Sequence, residues 1–264
     1  MTSFSEEYLY RFGGIARLFG DDGLRQLKSS HVAVVGLGGV GGWAAESLVR
    51  SGIGELSLID FDDICLSNTN RQIQALNGEI GKLKVEVLAE RFKLINPELK
   101  LNICDFAFGE NTRAQTMELG MHIIIDAIDR ASCKALLIAE SKSRGIPIVV
   151  AGAAGGRHRP DLIKTKDLSN VQDDALLARV RRILRQKYGF PRTKGVSFHV
   201  GAVASSENPH LAPSEGECPI DSVPPTPGRL DCRTGYGTAS FVTGTFGFFL
   251  ASLAVDLILH RSFD

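Results

Sequence analysis

The chain has 264 residues, 44 % of them hydrophobic, and 30 basic side chains balance 30 acidic ones to a formal net charge of zero. That length suits one large α/β domain or a domain with an appendage, and the balance excludes global charge as a pointer to a nucleic-acid or membrane partner. Five cysteines, Cys65, Cys104, Cys133, Cys218 and Cys232, are odd in number and widely spaced. They argue against a disulfide framework and for a reducing, cytoplasmic setting. The first residues show no basic stretch followed by an apolar run and a small-residue cleavage site, so no secretion signal is expected.

Residues 1–30 read as a short helical arm containing RFGGIARLFG from Arg11 to Gly20. Val32 to Val35 is a short apolar run of the kind buried on both faces of a parallel sheet. It stops in the turn Gly36-Leu37-Gly38-Gly39-Val40-Gly41-Gly42, and helical spacing resumes from Trp43 to Arg50. Leu56 to Ile59 is a second buried-type strand, ending at Asp60. Strand, glycine turn, helix, strand and acid together form a nucleotide-binding βαβ unit. Its glycines admit a phosphate to the backbone, the helix N-terminus favours the phosphate charge, and the acid accepts ribose hydroxyls. A glycine turn of this kind also exists purely for close packing, and it fits NAD as well as ATP.

The next residues separate those cofactors. Asp60-Phe61-Asp62 leads to Ser67-Asn68-Thr69-Asn70-Arg71-Gln72, and Lys82 and Lys84 open a helix expected over 81–94. A dehydrogenase has no use for a guanidinium and an ammonium just past the ribose acid, whereas a triphosphate does. Asn96-Pro97 stops that helix. Leu101 to Cys104, Ile123 to Ile125 and 146–151 read as further strands, and 134–144 as a helix. Asp126-Ala127-Ile128-Asp129-Arg130 falls at the carboxyl end of one of these strands, where open parallel sheets bind ligands. An α/β, Rossmann-like, doubly wound sheet with a mostly parallel core follows.

GxGGxG at Gly36–Gly41, DxD at Asp60–Asp62, SNxNRQ at Ser67–Gln72, KxK at Lys82–Lys84 and DAxDR at Asp126–Arg130 occur in that order. The combination resembles the ubiquitin-activating-enzyme superfamily of adenylating enzymes, which includes the ThiF-like and MoeB-like activators of sulfur carriers. The resemblance implies ATP over Gly36, Gly38, Gly39 and Gly41, its ribose on Asp60, and its phosphates near Asn68, Arg71, Gln72 and Lys84. It also implies Mg2+ on Asp129, with help from Asp62; a helix N-cap is the plain alternative for Asp129. The arm then corresponds to the superfamily segment whose arginine reaches ATP, often from a neighbouring subunit. Arg11 matches the first arginine of that pattern, Gly14 replaces the second, and Arg17 lies one turn later, either as the phosphate finger or as a solvated arginine.

Beyond residue 152 the charge changes character. Eleven basic residues stand against four carboxylates between Arg157 and Lys194. Asp173 to Tyr188 reads as a helix with Leu176, Leu177, Val180, Ile183, Leu184 and Tyr188 on one face and Arg179, Arg182 and Arg185 opposite. Such a face is either merely solvated or an RNA phosphate contact. Residues 205–229 hold six prolines and read as a loop or mobile crossover. It leads to Cys232, a candidate reactive thiol beside Arg233 or an ordinary small buried cysteine. Residues 239–260 form a nearly all-apolar helix of bilayer length. Asp256, Thr243, Thr245 and Ser252 favour a buried core or dimer-interface helix, with membrane attachment the lesser reading.

The CxxC pairs of zinc-bearing sulfur-carrier activators are absent. RFGGIARLFG, SNTNRQIQAL, the KxKVEVLAERFKLINPE helix, DAIDR, the basic insert and LDCRTGYG together resemble the tRNA threonylcarbamoyladenosine dehydratases within the superfamily. That likeness implies an ATP-dependent dehydratase and cyclase acting on modified tRNA, whose intramolecular ring closure leaves Cys232 without an obligatory role, in a homodimer with a cysteine desulfurase or sulfur acceptor as a further expected partner. The alternative is an adenylyltransferase that activates a small ubiquitin-like or sulfur-carrier protein. The expected organisation is an arm over 1–30, an ATP-binding core over 31–155, and a tRNA-binding and crossover region over 156–264.

Overall fold

A computed structural model describes residues 4–193, 195–210 and 237–259. Seven strands form one sheet: β1 (His31–Val35), β2 (Glu55–Ile59), β3 (Lys100–Cys104), β4 (Ile123–Asp126), β5 (Ile148–Ala151), β6 (Ile163–Asp167) and β7 (Gly201–Ser205). Their order is β3-β2-β1-β4-β5-β7-β6. Every pairing is parallel except β6 with β7, which is antiparallel. The doubly wound, mostly parallel sheet expected from the sequence is therefore present.

Alternation of side chains across the pleat divides the core into two layers. Val32 and Val34 of β1, Leu56 and Leu58 of β2 and Ile123 and Ile125 of β4 face one layer. There they meet α2 (Gly41–Arg50), α3 (Lys84–Ile95) and α7 (Ser240–Ile258). Ala33, Val35, Ile124, Val150 and Ala202 face the other layer, closed by α5 (Ala131–Ser143), α6 (Ala175–Lys187) and the short α4 (Arg113–Met117).

Helix boundaries shift from the expected ones for local reasons. Gly81 takes φ +89° and Leu83 is extended, so α3 starts at Lys84 rather than at 81. Asp174 caps α6 by accepting the Leu177 N–H at 2.9 Å, and the helix starts at Ala175. Ser205, expected to open the crossover, instead closes β7 opposite Ile163.

The apolar helix α7 belongs to the core. Val242, Phe246, Leu250 and Ala254 are fully buried on the sheet side. A Cβ added at Gly247 would lie 2.7 Å from the Val40 carbonyl oxygen, so glycine lets α7 run against α2. Phe241 and Phe248 remain about half exposed on the other side.

The arm is helical within the expected bounds. α1 (Glu6–Ser29) breaks at Gly20, φ +77°, and folds back on itself. Tyr8, Phe12 and Leu24 pack together inside the fold. The Tyr8 hydroxyl donates to the Gly52 carbonyl, and Lys28 pairs with Glu98 at 2.9 Å. Gly52 and Glu98 precede β2 and β3, which anchors the arm at the amino ends of the strands.

Candidate active site

The glycine turn lies at the carboxyl end of β1, between β1 and β4, where the winding of the sheet reverses direction. Open α/β sheets bind ligands at that position. Gly36 has φ +89°, and a Cβ there would meet the Ala127 carbonyl oxygen at 2.9 Å. A Cβ on Gly41 would fall 1.8 Å from the Gly36 carbonyl oxygen. These two glycines let α2 begin directly against the turn. Val40, its N-cap, provides no side-chain acceptor, so the partial positive charge of the helix start faces the cleft.

Asp60 is buried beneath this turn. Its Oδ2 accepts the Leu37 N–H, and its Oδ1 accepts the Asp62 N–H at 2.9 Å. Each carboxylate oxygen keeps a further lone pair, so the acid can brace the turn and still accept ribose hydroxyls. Gln74 reinforces the brace by donating to the Leu37 carbonyl at 2.8 Å and to Gln72 Oε1 at 3.0 Å.

The Ser67–Gln72 motif wraps the other side of the turn. Asn68 is buried at the end of a 3-10 turn, and its Oδ1 accepts the Cys65 N–H at 3.0 Å. The Arg71 carbonyl accepts from Trp43 Nε1 at 3.1 Å and Thr243 Oγ1 at 3.3 Å, tying the motif to α2 and α7. A Cβ on Gly39 would lie 3.2 Å from Arg71 Cγ, and one on Gly38 would lie 3.9 Å from Gln72 Nε2. The Arg71 guanidinium donates to the Ser67 carbonyl at 2.8 Å and to Asn70 Oδ1 at 3.0 Å. Lys84, the first residue of α3, places Nζ 2.6 Å from Asp62 Oδ2. Gly36, Gly38, Gly39, Gly41, Asp60, Asp62, Asn68, Arg71, Gln72 and Lys84 therefore converge on one cleft.

Asp129 follows β4 on the same edge and is exposed. Its segment is held by Asp126, whose Oδ1 accepts the Ile128 N–H at 3.0 Å. Asp126 in turn pairs with Lys134 at 2.9 Å, both side chains wholly buried. Burial pushes the Asp126 carboxyl up, and the Lys134 ammonium and the Ile128 N–H oppose that rise. Sequence reading missed Lys134 and Gln74; the available signal was a lysine amid the apolar residues of α5.

The remaining expected residues fall elsewhere. Arg11 pairs with Glu7 at 2.7 Å and donates to the Ile95 carbonyl, at the amino end of the sheet. Arg17 is exposed near the Gly20 bend of the same arm, so the fold holds both arginines away from their own chain's glycine turn. Arg179 and Arg182 are exposed on α6 as expected, but Arg185 is partly covered. Its guanidinium stacks 5.3 Å from the Phe198 ring centroid, and its Nε donates to the Pro191 carbonyl at 3.1 Å. This corrects its placement on the free basic face: it braces the loop after α6. Cys232 and most of the 205–229 segment lie outside the described residues.

A doubly wound fold whose glycine turn is flanked by Arg71 and by the Lys84–Asp62 pair is thus in place. The chain belongs to the ThiF family, whose model matches residues 14–262. It is 44 % identical to a tRNA threonylcarbamoyladenosine dehydratase of Haemophilus influenzae, over 97 % of this chain and 96 % of the relative. It is 41 % identical to the Escherichia coli enzyme of the same name, over 98 % and 97 %. A crystal structure of the E. coli tRNA N6-threonylcarbamoyladenosine dehydratase in complex with ATP superposes with a TM-score of 0.86 at 39 % identity, covering 98 % of each chain.

Proposed function

We propose that this chain is an ATP-dependent dehydratase that cyclises N6-threonylcarbamoyladenosine in tRNA, next to the anticodon. The observation that carries this reading is Arg71 packed against Gly39 of the glycine turn, with Lys84 linked to the same turn through Asp62 and Asp60, in a chain that matches such dehydratases almost end to end. In the first step the threonyl carboxylate oxygen bonds to the α-phosphorus of ATP, and the bond from that phosphorus to the β-phosphate bridge breaks. Pyrophosphate leaves and an acyl-adenylate remains. In the second step the carbamoyl group of the same nucleoside attacks the activated carbonyl, AMP departs, and the ring closes with net loss of water. That closure is intramolecular and gains from proximity.

Asp60 supports the ribose, while Arg71 and Lys84 oppose the charge that builds on the phosphates in the transition state. Asp62 is half exposed and already neutralises Lys84, so a phosphate oxygen can take its place. Exposed Asp129 offers the hard oxygen that Mg2+ prefers; with ATP phosphate oxygens it would hold the ion, which neutralises triphosphate charge. Arg179 and Arg182 supply phosphate contacts for the tRNA. In this reading residues 1–30 are an arm, 31–155 the ATP core and 156–264 the tRNA side, in a cytoplasmic homodimer. Arg17 then serves the partner's site, which accounts for its position far from its own.

Purified protein with ATP, Mg2+ and tRNA carrying threonylcarbamoyladenosine should release AMP and yield a nucleoside lighter by one water. Arg71→Ala and Asp129→Ala should abolish AMP release, and Cys232→Ala should have a milder effect. AMP release that depends on an added carrier protein would move the function to carrier activation.

A further inference from the structure

A second cluster of ligating side chains sits at the carboxyl edge of the sheet, on the loops that follow β5 and β7. His158, Glu207 and His210 bring one ligand atom each to within 4.8 Å of one another. Glu207 Oε1 lies 2.9 Å from His158 Nδ1 and 3.3 Å from His210 Nε2. Tetrahedral zinc bonds of about 2.0–2.1 Å put neighbouring ligand atoms roughly 3.3 Å apart. The two separations from Glu207 are already close to that edge length, and the ligand atoms of the two imidazoles lie within 4.8 Å of each other. We propose that His158, Glu207 and His210 form a three-ligand site for a divalent transition-metal ion of the zinc class, separate from the nucleotide cleft.

Three features support the site. Glu207 is oriented before any ion arrives: its Oε2 accepts the Arg159 N–H at 2.9 Å and the His158 N–H at 3.1 Å, leaving Oε1 turned to both imidazoles. Such outer hydrogen bonds fix a ligating carboxylate. The ligands are also mixed in access. The Glu207 side chain is 6 % exposed and the two histidine side chains are more than 60 % exposed. A bound ion would thus keep an open coordination position toward solvent, as three-ligand zinc sites do. Two imidazoles and one carboxylate favour zinc, cobalt or nickel over Mg2+, which takes oxygen ligands.

The position gives the site a consequence. The Gly156 carbonyl accepts the His210 N–H at 2.6 Å, and the Gly156 N–H donates to the Gly237 carbonyl at 2.7 Å. Residues 210 and 237 flank the long segment between β7 and α7. An ion bridging His158 to His210 would add a second tie between residue 210 and the loop after β5, beside the backbone bonds that Gly156 already makes to residues 210 and 237.

The test is titration of chelator-treated full-length protein with Co2+, read by its visible absorption, and with Zn2+, read by calorimetry. One ion per chain is expected. His158→Ala and His210→Ala should each weaken binding by about 10-fold or more. Both rings are largely exposed, so these variants leave the core intact, and Glu207→Gln adds a charge-only comparison. Absence of saturable binding in the unmodified protein would overturn the proposal. Equal binding by the His158→Ala/His210→Ala double variant would overturn it too, by placing the ion on other ligands such as the cysteines.

Discussion

Two lysine–aspartate pairs sit on the same edge of the sheet and do different work. Lys134 and Asp126 are 2.9 Å apart with neither side chain exposed, and Lys134 also donates to the Asp126 carbonyl at 3.1 Å. Lys84 and Asp62 are 2.6 Å apart, but the Asp62 side chain is 49 % exposed. The first pair has no route to a ligand, because any other partner would have to enter the core. It fixes the end of β4 to α5 and so sets where Asp129 emerges. The second pair has a partner that water, or a phosphate, can replace. Under the proposed function, the distinction between a structural and a chemical lysine is carried by the exposure of its acid, not by its own burial.

Breaking each pair should separate these roles. Lys134→Met leaves Asp126 buried without its cation, and breaking a buried pair from one side costs about 3–5 kcal/mol. Urea unfolding should register that loss in full, and AMP release from the folded fraction should fall only as far as Asp129 is displaced, less than for a residue that faces the phosphates itself. Lys84→Ala should do the reverse. Removing a cation aimed at the transferring phosphates lowers turnover by roughly 10²–10³, whereas a pair with a half-exposed acid contributes only about 0–1 kcal/mol to stability. A Lys84→Ala protein that melts early but turns over normally would invert the assignment.

The same contrast accounts for what could be read in the sequence. Asp60, Arg71 and Lys84 follow one another along the βαβ unit, so motif spacing reveals them. β1, β2 and β4 are runs of large apolar residues buried on both faces, and these too are local signals. β7 is Gly-Ala-Val-Ala-Ser, whose small residues give neither an apolar run nor an alternating pattern. Its existence depends on β5 and β6 lying beside it. β6 is hidden in the basic stretch, since Lys164, Thr165 and Lys166 are exposed at the sheet edge. Lys134 meets Asp126 across a strand-to-helix junction, and His158 meets Glu207 from another loop altogether. Arg185 shows the opposite error: helical periodicity placed it on the free face, but Phe198 and Pro191, which cover it, return from beyond the helix.

A third acid sharpens the comparison because, among the described residues, no lysine pairs with it. Asp167, at the end of β6, accepts the Ser169 and Phe198 N–H groups on Oδ1 at 2.8 and 3.0 Å. Its Oδ2 accepts the Ser197 hydroxyl at 2.8 Å and the Val200 N–H at 3.1 Å. Burial works to raise this carboxyl, yet the donors from Ser169, Phe198 and Ser197 hold it below the ordinary range. A folded value below the unfolded one, about 3.9 for aspartate, means that the contribution is complete above that pH. It is lost as pH falls through the lower folded value. Asp167→Asn turns an amide N–H toward donors that need an acceptor, so about 1–3 kcal/mol should be lost near neutrality. The gap between the two proteins in urea should then narrow as the medium is acidified below about pH 4. A constant gap would mean that the four hydrogen bonds act through shape alone, and that among these three acids charge matters only where a lysine answers it.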